Sequence, residues 1–223
     1  MKIALVSPKG GVGKTTLATS IAWELQARGA SVLVVDADRL GSSRIAGEVA
    51  TERGLSAPSI IALGKDMYRP EQLPRIAANY DHVVIDTAGE LGDVPAAALM
   101  VSDVALVPIS QSGIEVWGNT SMLALIAQAQ TINRNLKGAL VYVRKLPTTA
   151  LGRRARAQLE EQSNLPILRS ETTFRISWQE AMMAGQGVAQ YAPKDKAAKE
   201  LRALVDELLS LGAAPELKEV VNA

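Results

Sequence analysis

The sequence predicts an α/β fold: a mostly parallel, twisted sheet with helices on both faces. Three observations predict it. Short runs rich in Val, Ile and Leu recur without polar alternation, as strands buried on both faces of a parallel sheet do. Longer stretches of helical periodicity separate these runs. A glycine-rich turn, SPKGGVGKTT over residues 7–16, joins the first apolar run to the first helical pattern.

The elements follow in order. A first strand covers 2–6, and the glycine-rich turn leads into a helix over 14–28, with Leu17, Ile21 and Leu25 spaced four apart. Gly29 stands where a C-capping glycine belongs. Strands follow at 31–36, 82–86, 103–109, 138–144 and 166–169, and helices at 114–132, 151–162 and 195–210. No repeat, low-complexity tract or long linker divides the chain. One domain is therefore expected over 1–211, followed by a loose tail at 212–223. With 223 residues, 48% of them apolar, the chain can bury a sizeable core.

Composition excludes several chemistries. There are no cysteines, so disulfides, thiolate zinc sites and cysteine-held iron–sulfur clusters are ruled out. The single histidine, His82, cannot build a histidine metal site and reads as a strand-edge residue. Net charge is +1, so the field of the whole molecule is weak. The N-terminus reads as a strand and not as a signal peptide, and no apolar run reaches the length of a membrane span. A cytoplasmic protein is the expectation.

The turn has the chemistry of a phosphate cradle. Gly10, Gly11 and Gly13 can take backbone angles barred to other residues and place no side chain in a phosphate's way. The N–H groups from Gly10 through Val12 and Gly13 to Lys14 and Thr15 can converge on one anion, aided by the positive end of the helix dipole. Lys14 is expected to reach the β- and γ-phosphates, the Thr15 hydroxyl to ligate Mg²⁺, and Thr16 to donate to the α-phosphate. The competing reading is a glycine-rich turn without a ligand; the strand before it and the helix after it argue for the cradle.

The ordinary pattern G-x-x-x-x-G-K-[ST] fails here, because Pro8 occupies the place of its first glycine. What fits is K-G-G-x-G-K-T, the deviant Walker A box. In this the chain resembles the ParA/MinD family of P-loop ATPases. The resemblance implies a P-loop NTPase architecture that binds ATP with Mg²⁺. It also implies a homodimer formed on ATP binding, with Lys9 reaching across to the partner's nucleotide. A cation there would offset charge developing in the transition state. The alternative for Lys9 is an ordinary exposed loop cation.

Two carboxylate sites extend the reading. Val83-Val84-Ile85-Asp86 is an apolar run ending in an acid, at the strand edge where open α/β sheets bind ligands. By the resemblance Asp86 is the Walker B aspartate that holds Mg²⁺ through water, and Gly89 completes a D-x-x-G switch. Asp36 and Asp38 form a D-x-D at the end of the second strand. The resemblance gives Asp38 the task of orienting the attacking water and Asp36 that of supporting the metal from behind. The alternative is two loop acids satisfied by turn amides. The chain departs from the family's D-x-D-P-Q-G-N, with Arg39 for the proline and Leu40 for the glutamine. It also lacks the asparagine often found beside the base, which leaves Arg144 as the candidate base contact.

Charge is unevenly spread. Residues 134–202 carry thirteen Lys or Arg against six Asp or Glu. Arg153, Arg154 and Arg156 share one predicted helix; Arg175, Lys194 and Lys199 follow. Such a surface suits phosphate-backbone contacts without base readout, or else is an ordinary solvated face. ParA relatives bind DNA non-specifically as ATP dimers. The resemblance therefore implies a nucleoid-associated ATPase that positions or segregates a plasmid, chromosome or protein organelle. A ParB-like or adaptor protein would stimulate its hydrolysis. The helix at 114–132, with Trp117, Met122 and Leu123, is a candidate partner surface or simply core. Two readings compete. A MinD-like membrane ATPase needs a basic amphipathic end, but 203–223 hold one cation, Lys218, and four acids, so no membrane partner is expected. An ATP-dependent metabolic ligase or synthetase needs a substrate constellation, and none is readable.

Overall fold

The computed structural model describes residues 1–110, 113–145 and 163–213. Six strands form one parallel sheet: β1 (Lys2–Leu5), β2 (Val32–Ala37), β3 (Ser59–Ala62), β4 (His82–Thr87), β5 (Val104–Ile109) and β6 (Lys137–Tyr142). Their order is β3-β2-β4-β1-β5-β6, so β1 lies centrally, between β4 and β5. The helices are α1 (Lys14–Ala27), α2 (Ser42–Glu52), α3 (Leu73–Ala77), α4 (Asp93–Val101) and α5 (Gly113–Ile132). After 162 come α6 (Ile176–Met183), α7 (Val188–Tyr191) and α8 (Lys196–Ala213).

Successive strand residues face opposite sides and feed two separate cores. Ile3, Leu5, Val32, Val34 and Val84 pack under α1 and α8. Ala4, Val6, Leu33, Val35 and Ile85 pack under α4 and α5. Both faces are covered, which is why the strands read as continuous apolar runs. Met122 is fully buried in the second core, whereas the Trp117 side chain lies outside the described residues.

Differences from expectation are local. β3, Ser-Ile-Ile-Ala, is an edge strand with both ends exposed, too short for its pattern to stand out. The expected strand at 166–169 does not form; only an isolated bridge joins Leu140 to Ile167. The backbone N–H groups of Arg169 and Ser170 donate to the Glu207 carboxylate instead, each at 2.8 Å. α8 continues to Ala213, past the residue where the tail was expected to start. The predicted helix at 151–162, with Arg153, Arg154 and Arg156, lies outside the described residues, as do 214–223.

Candidate functional site

The glycine-rich turn sits where β1 ends and α1 begins. Gly13 caps α1 in a left-handed conformation, φ 101°, and Gly11 has φ 77°. Side-chain-bearing residues rarely hold such angles, so these two glycines are what allow the turn to bend into the helix. The helix N-terminus thereby faces a cavity of about 350 Å³. Residues 10–17 line one side, with Asp38, Leu40, Thr87 and Gly89. Val143, Arg144 and the segment 172–175 line the other, with Trp178 and Gln179.

Lys14 is 6% exposed, and its Nζ donates to the Lys9 carbonyl at 3.3 Å. Burial lowers its pKa, while the charges of Asp86 and Asp38 oppose that shift. The ammonium is therefore already desolvated and aimed along the turn. Lys9 itself is exposed, and its ammonium forms no ion pair among the described residues.

Behind the turn, parallel pairing of β2 and β4 places Asp36 opposite Asp86. Both are buried. Burial pushes the Asp86 carboxyl up to about 7, against the pull of hydrogen bonds from Ser43 and Thr15. The Ser43 hydroxyl donates to Asp86 Oδ2 at 2.8 Å. Asp86 Oδ1 is buried without a hydrogen bond. A buried carboxylate with one idle oxygen, beside a hydroxyl at a helix start, is a donor set suited to a hard divalent cation. Thr15 and Asp86 thus fit Mg²⁺ as the residues that would hold it. Asp36 is engaged elsewhere: it accepts from the Asp38 N–H at 3.2 Å and the Arg44 N–H at 2.9 Å. It braces the loop that carries Asp38 and the first turn of α2. Asp38 lines the cavity, and its Oδ1 accepts from the Leu40 N–H at 3.0 Å. The Leu40 side chain beside it is 77% exposed.

Arg144 stands out as the non-glycine residue with positive φ, 52°, among the described residues. Its Nη1 donates to the Gly11 carbonyl at 2.8 Å, and its guanidinium lies 5.3 Å from the centroid of the Phe174 ring. It bridges the phosphate turn to the far wall. Arg175 lies on that wall, with its Nη2 3.3 Å from Glu200 Oε1 and its Nε 3.9 Å from Asp195 Oδ1. Lys194 and Lys199 are exposed.

A family model, the CobQ/CobB/MinD/ParA nucleotide binding domain, matches residues 3–188. The chain belongs to the CobQ/CobB/MinD/ParA family. This ParA/MinD-type family of P-loop ATPases uses ATP and Mg²⁺. The maintenance of carboxysome distribution protein A of Halothiobacillus neapolitanus is 29% identical over 93% of this chain and 95% of its own length. The chromosome-partitioning ATPase Soj of Thermus thermophilus is 26% identical over 94% and 95%. The fold matches that of cobyrinic acid a,c-diamide synthase from Mycobacterium smegmatis with bound ADP and magnesium. The TM-score is 0.73 and identity 20%, over 93% of each chain.

Some site residues were not legible in the sequence. Ser43 carried no signal beyond its place after the D-x-D. Thr172, Thr173 and Phe174 enter the cavity because their segment runs beside the end of β6, a long-range contact that local periodicity does not encode.

Proposed function

We propose that this chain is a ParA-type positioning ATPase. The observation that carries the reading is the pairing of an anchored Lys14 with an exposed Lys9 on one phosphate turn, in a chain similar along its length to a carboxysome-distribution protein and a chromosome-partitioning ATPase. ATP lies with its phosphates on the 10–16 turn and its nucleoside toward Arg144 and Phe174. Lys14 and the turn amides hold the β- and γ-phosphates. Thr15 and Asp86 would hold Mg²⁺, which would supply neutralisation of phosphate charge. Asp38 accepts a hydrogen bond from water and orients its oxygen toward the γ-phosphorus. Attack breaks the bond to the bridging oxygen and releases ADP and phosphate. Two chains close over their nucleotides, and each Lys9 enters the partner's site.

The ATP dimer binds DNA through cations that include Lys194 and Lys199, with Arg153, Arg154 and Arg156 of the basic stretch. An adaptor protein stimulates hydrolysis and releases the dimer, and the cycle positions a cargo on the nucleoid of the cytoplasm. Arg175 is also assigned to this face, and its guanidinium is paired with Glu200 and Asp195.

The test is binding to random-sequence duplex DNA with ATP, with ADP and without nucleotide, over a salt series. ATP-selective binding that falls steeply with salt supports the reading. Absence of binding in every state rejects it. Parallel incubations with anionic liposomes would then test the membrane alternative, and small-molecule-dependent turnover the synthetase alternative.

A further inference from the structure

The far wall of the nucleotide cavity is not held as a strand. On one side its segment meets β6 and the residues after it through backbone bonds: the Leu140 N–H to the Pro166 carbonyl at 2.9 Å, the Leu168 N–H to the Leu140 carbonyl at 2.8 Å, the Thr172 N–H to the Tyr142 carbonyl at 2.9 Å, the Lys145 N–H to the Thr172 carbonyl at 2.8 Å and the Phe174 N–H to the Lys145 carbonyl at 3.1 Å. Its other side is held by α8. Glu207 accepts the N–H groups of Arg169 and Ser170. Glu200 accepts the Thr173 N–H at 3.0 Å and the Thr173 hydroxyl at 2.9 Å, and its Oε1 lies 3.3 Å from Arg175 Nη2. The two acids are seven residues apart, two helical turns, and so share one face of α8. α8 is tied in turn to α1, the helix that carries the phosphate turn. Arg28 donates to Asp206 at 2.6 Å, and Arg202 lies 3.8 Å from the buried Glu24.

The two acids differ in what they hold. Thr173 and Arg175 line the cavity, whereas Arg169 and Ser170 do not. Glu200 thus holds residues that line the cavity, and Glu207 residues outside the lining.

We propose that Glu200 is a positioning residue for nucleotide binding: it sets the Thr172–Arg175 wall against which the nucleoside end rests. Without its carboxylate the Thr173 N–H and hydroxyl lose their acceptor and the Arg175 guanidinium loses its closest charge partner. The wall can then drift from Arg144 and the phosphate turn. This inference rests on the nucleotide reading of the cavity and is independent of DNA, dimer and cargo.

The test is the affinity of the full chain for fluorescent ADP with Mg²⁺, read beside the melting temperature without nucleotide. Glu200→Ala should weaken ADP binding about tenfold, the scale of losing hydrogen bonds to a charged group. Glu200→Gln, whose amide oxygen can still accept from Thr173, should restore affinity to within about threefold. Glu207→Ala should lower the melting temperature as Glu200→Ala does, yet change ADP affinity less than about twofold. Wild-type affinity in Glu200→Ala overturns the proposal, and so does an equal loss in Glu207→Ala. If Glu200→Ala does not fold, Thr173→Val decides: weaker ADP binding sustains the proposal and unchanged binding overturns it. Lys14→Ala is the control for the site itself. If that variant binds ADP normally, the nucleotide reading has failed, not the role of Glu200.

Discussion

Gly89 lies against Gly10 so closely that a Cβ built on Gly89 would stand 2.4 Å from the Gly10 nitrogen and 2.5 Å from the Lys9 carbonyl carbon. The loop after β4 and the phosphate turn are thus in backbone contact, and a change in either is felt by the other. Replacing Gly89 by Ala forces backbone apart, because the obstacle is not a side chain that can rotate away. Overpacking of this kind costs about 1–3 kcal/mol. Gly89→Ala should lower the melting temperature and weaken nucleotide binding together. Calorimetry and a nucleotide titration on the same preparation check both.

Lys14 is the buried cation of the turn, held on the Lys9 carbonyl and facing the charges of Asp86 and Asp38. Lys14→Ala should abolish nucleotide binding, by about a hundredfold or more, since a charge-assisted contact to two phosphates is lost. The nucleotide-free fold should persist, because deleting the ammonium also removes a desolvation cost. Fluorescent-nucleotide titration with circular dichroism separates these outcomes.

Lys9 contributes its carbonyl to the turn, while its side chain is exposed. Lys9→Ala should leave ADP affinity unchanged and lose ATP-dependent dimerisation or hydrolysis. Sedimentation with ATP and with ADP, alongside phosphate release, tests this; normal hydrolysis by the variant would sink the cross-subunit role.

Asp38 is held by the Leu40 N–H and, through its own N–H, by Asp36. Asp38→Ala should keep ATP bound and slow its turnover about a hundredfold, the lower end of the range for a positioned acid–base group, since Asp38 orients the water. Single-turnover hydrolysis measures it, and full turnover would reject the role.

Glu207 gives a pH prediction away from the phosphate site. Burial raises its pKa, but the hydrogen bonds from Arg169 and Ser170 outweigh this and leave it below the ordinary 4.5. The folded state therefore favours the ionised form. The stability this adds is present above the ordinary value and lost as pH falls through the folded one. Glu207→Gln should melt below wild type at pH 7, with the gap closing as pH drops below 4.5. A constant gap from pH 7 to pH 3 would show that the charge of Glu207 contributes nothing.

Much of this protein was legible in one dimension. The turn at 7–16 was readable because its chemistry is local: glycines at fixed spacing, a lysine and two threonines, a strand before and a helix after. The parallel sheet was readable because strands buried on both faces must be apolar throughout. Asp86 was readable as an acid closing such a strand. What only the tertiary structure decided depends on contacts between distant segments. The strand order places Asp36 opposite Asp86, 50 residues on in the chain. Ser43 finds Asp86, and Gly89 meets Gly10, through packing that no spacing rule anticipates. Arg175, one cation of the basic stretch in the sequence, also lines the nucleotide cavity, paired with Glu200. Periodicity reports whether a residue is buried. It does not say which buried or half-buried partner a side chain meets, because that follows from how the sheet orders its strands and where α8 returns across them.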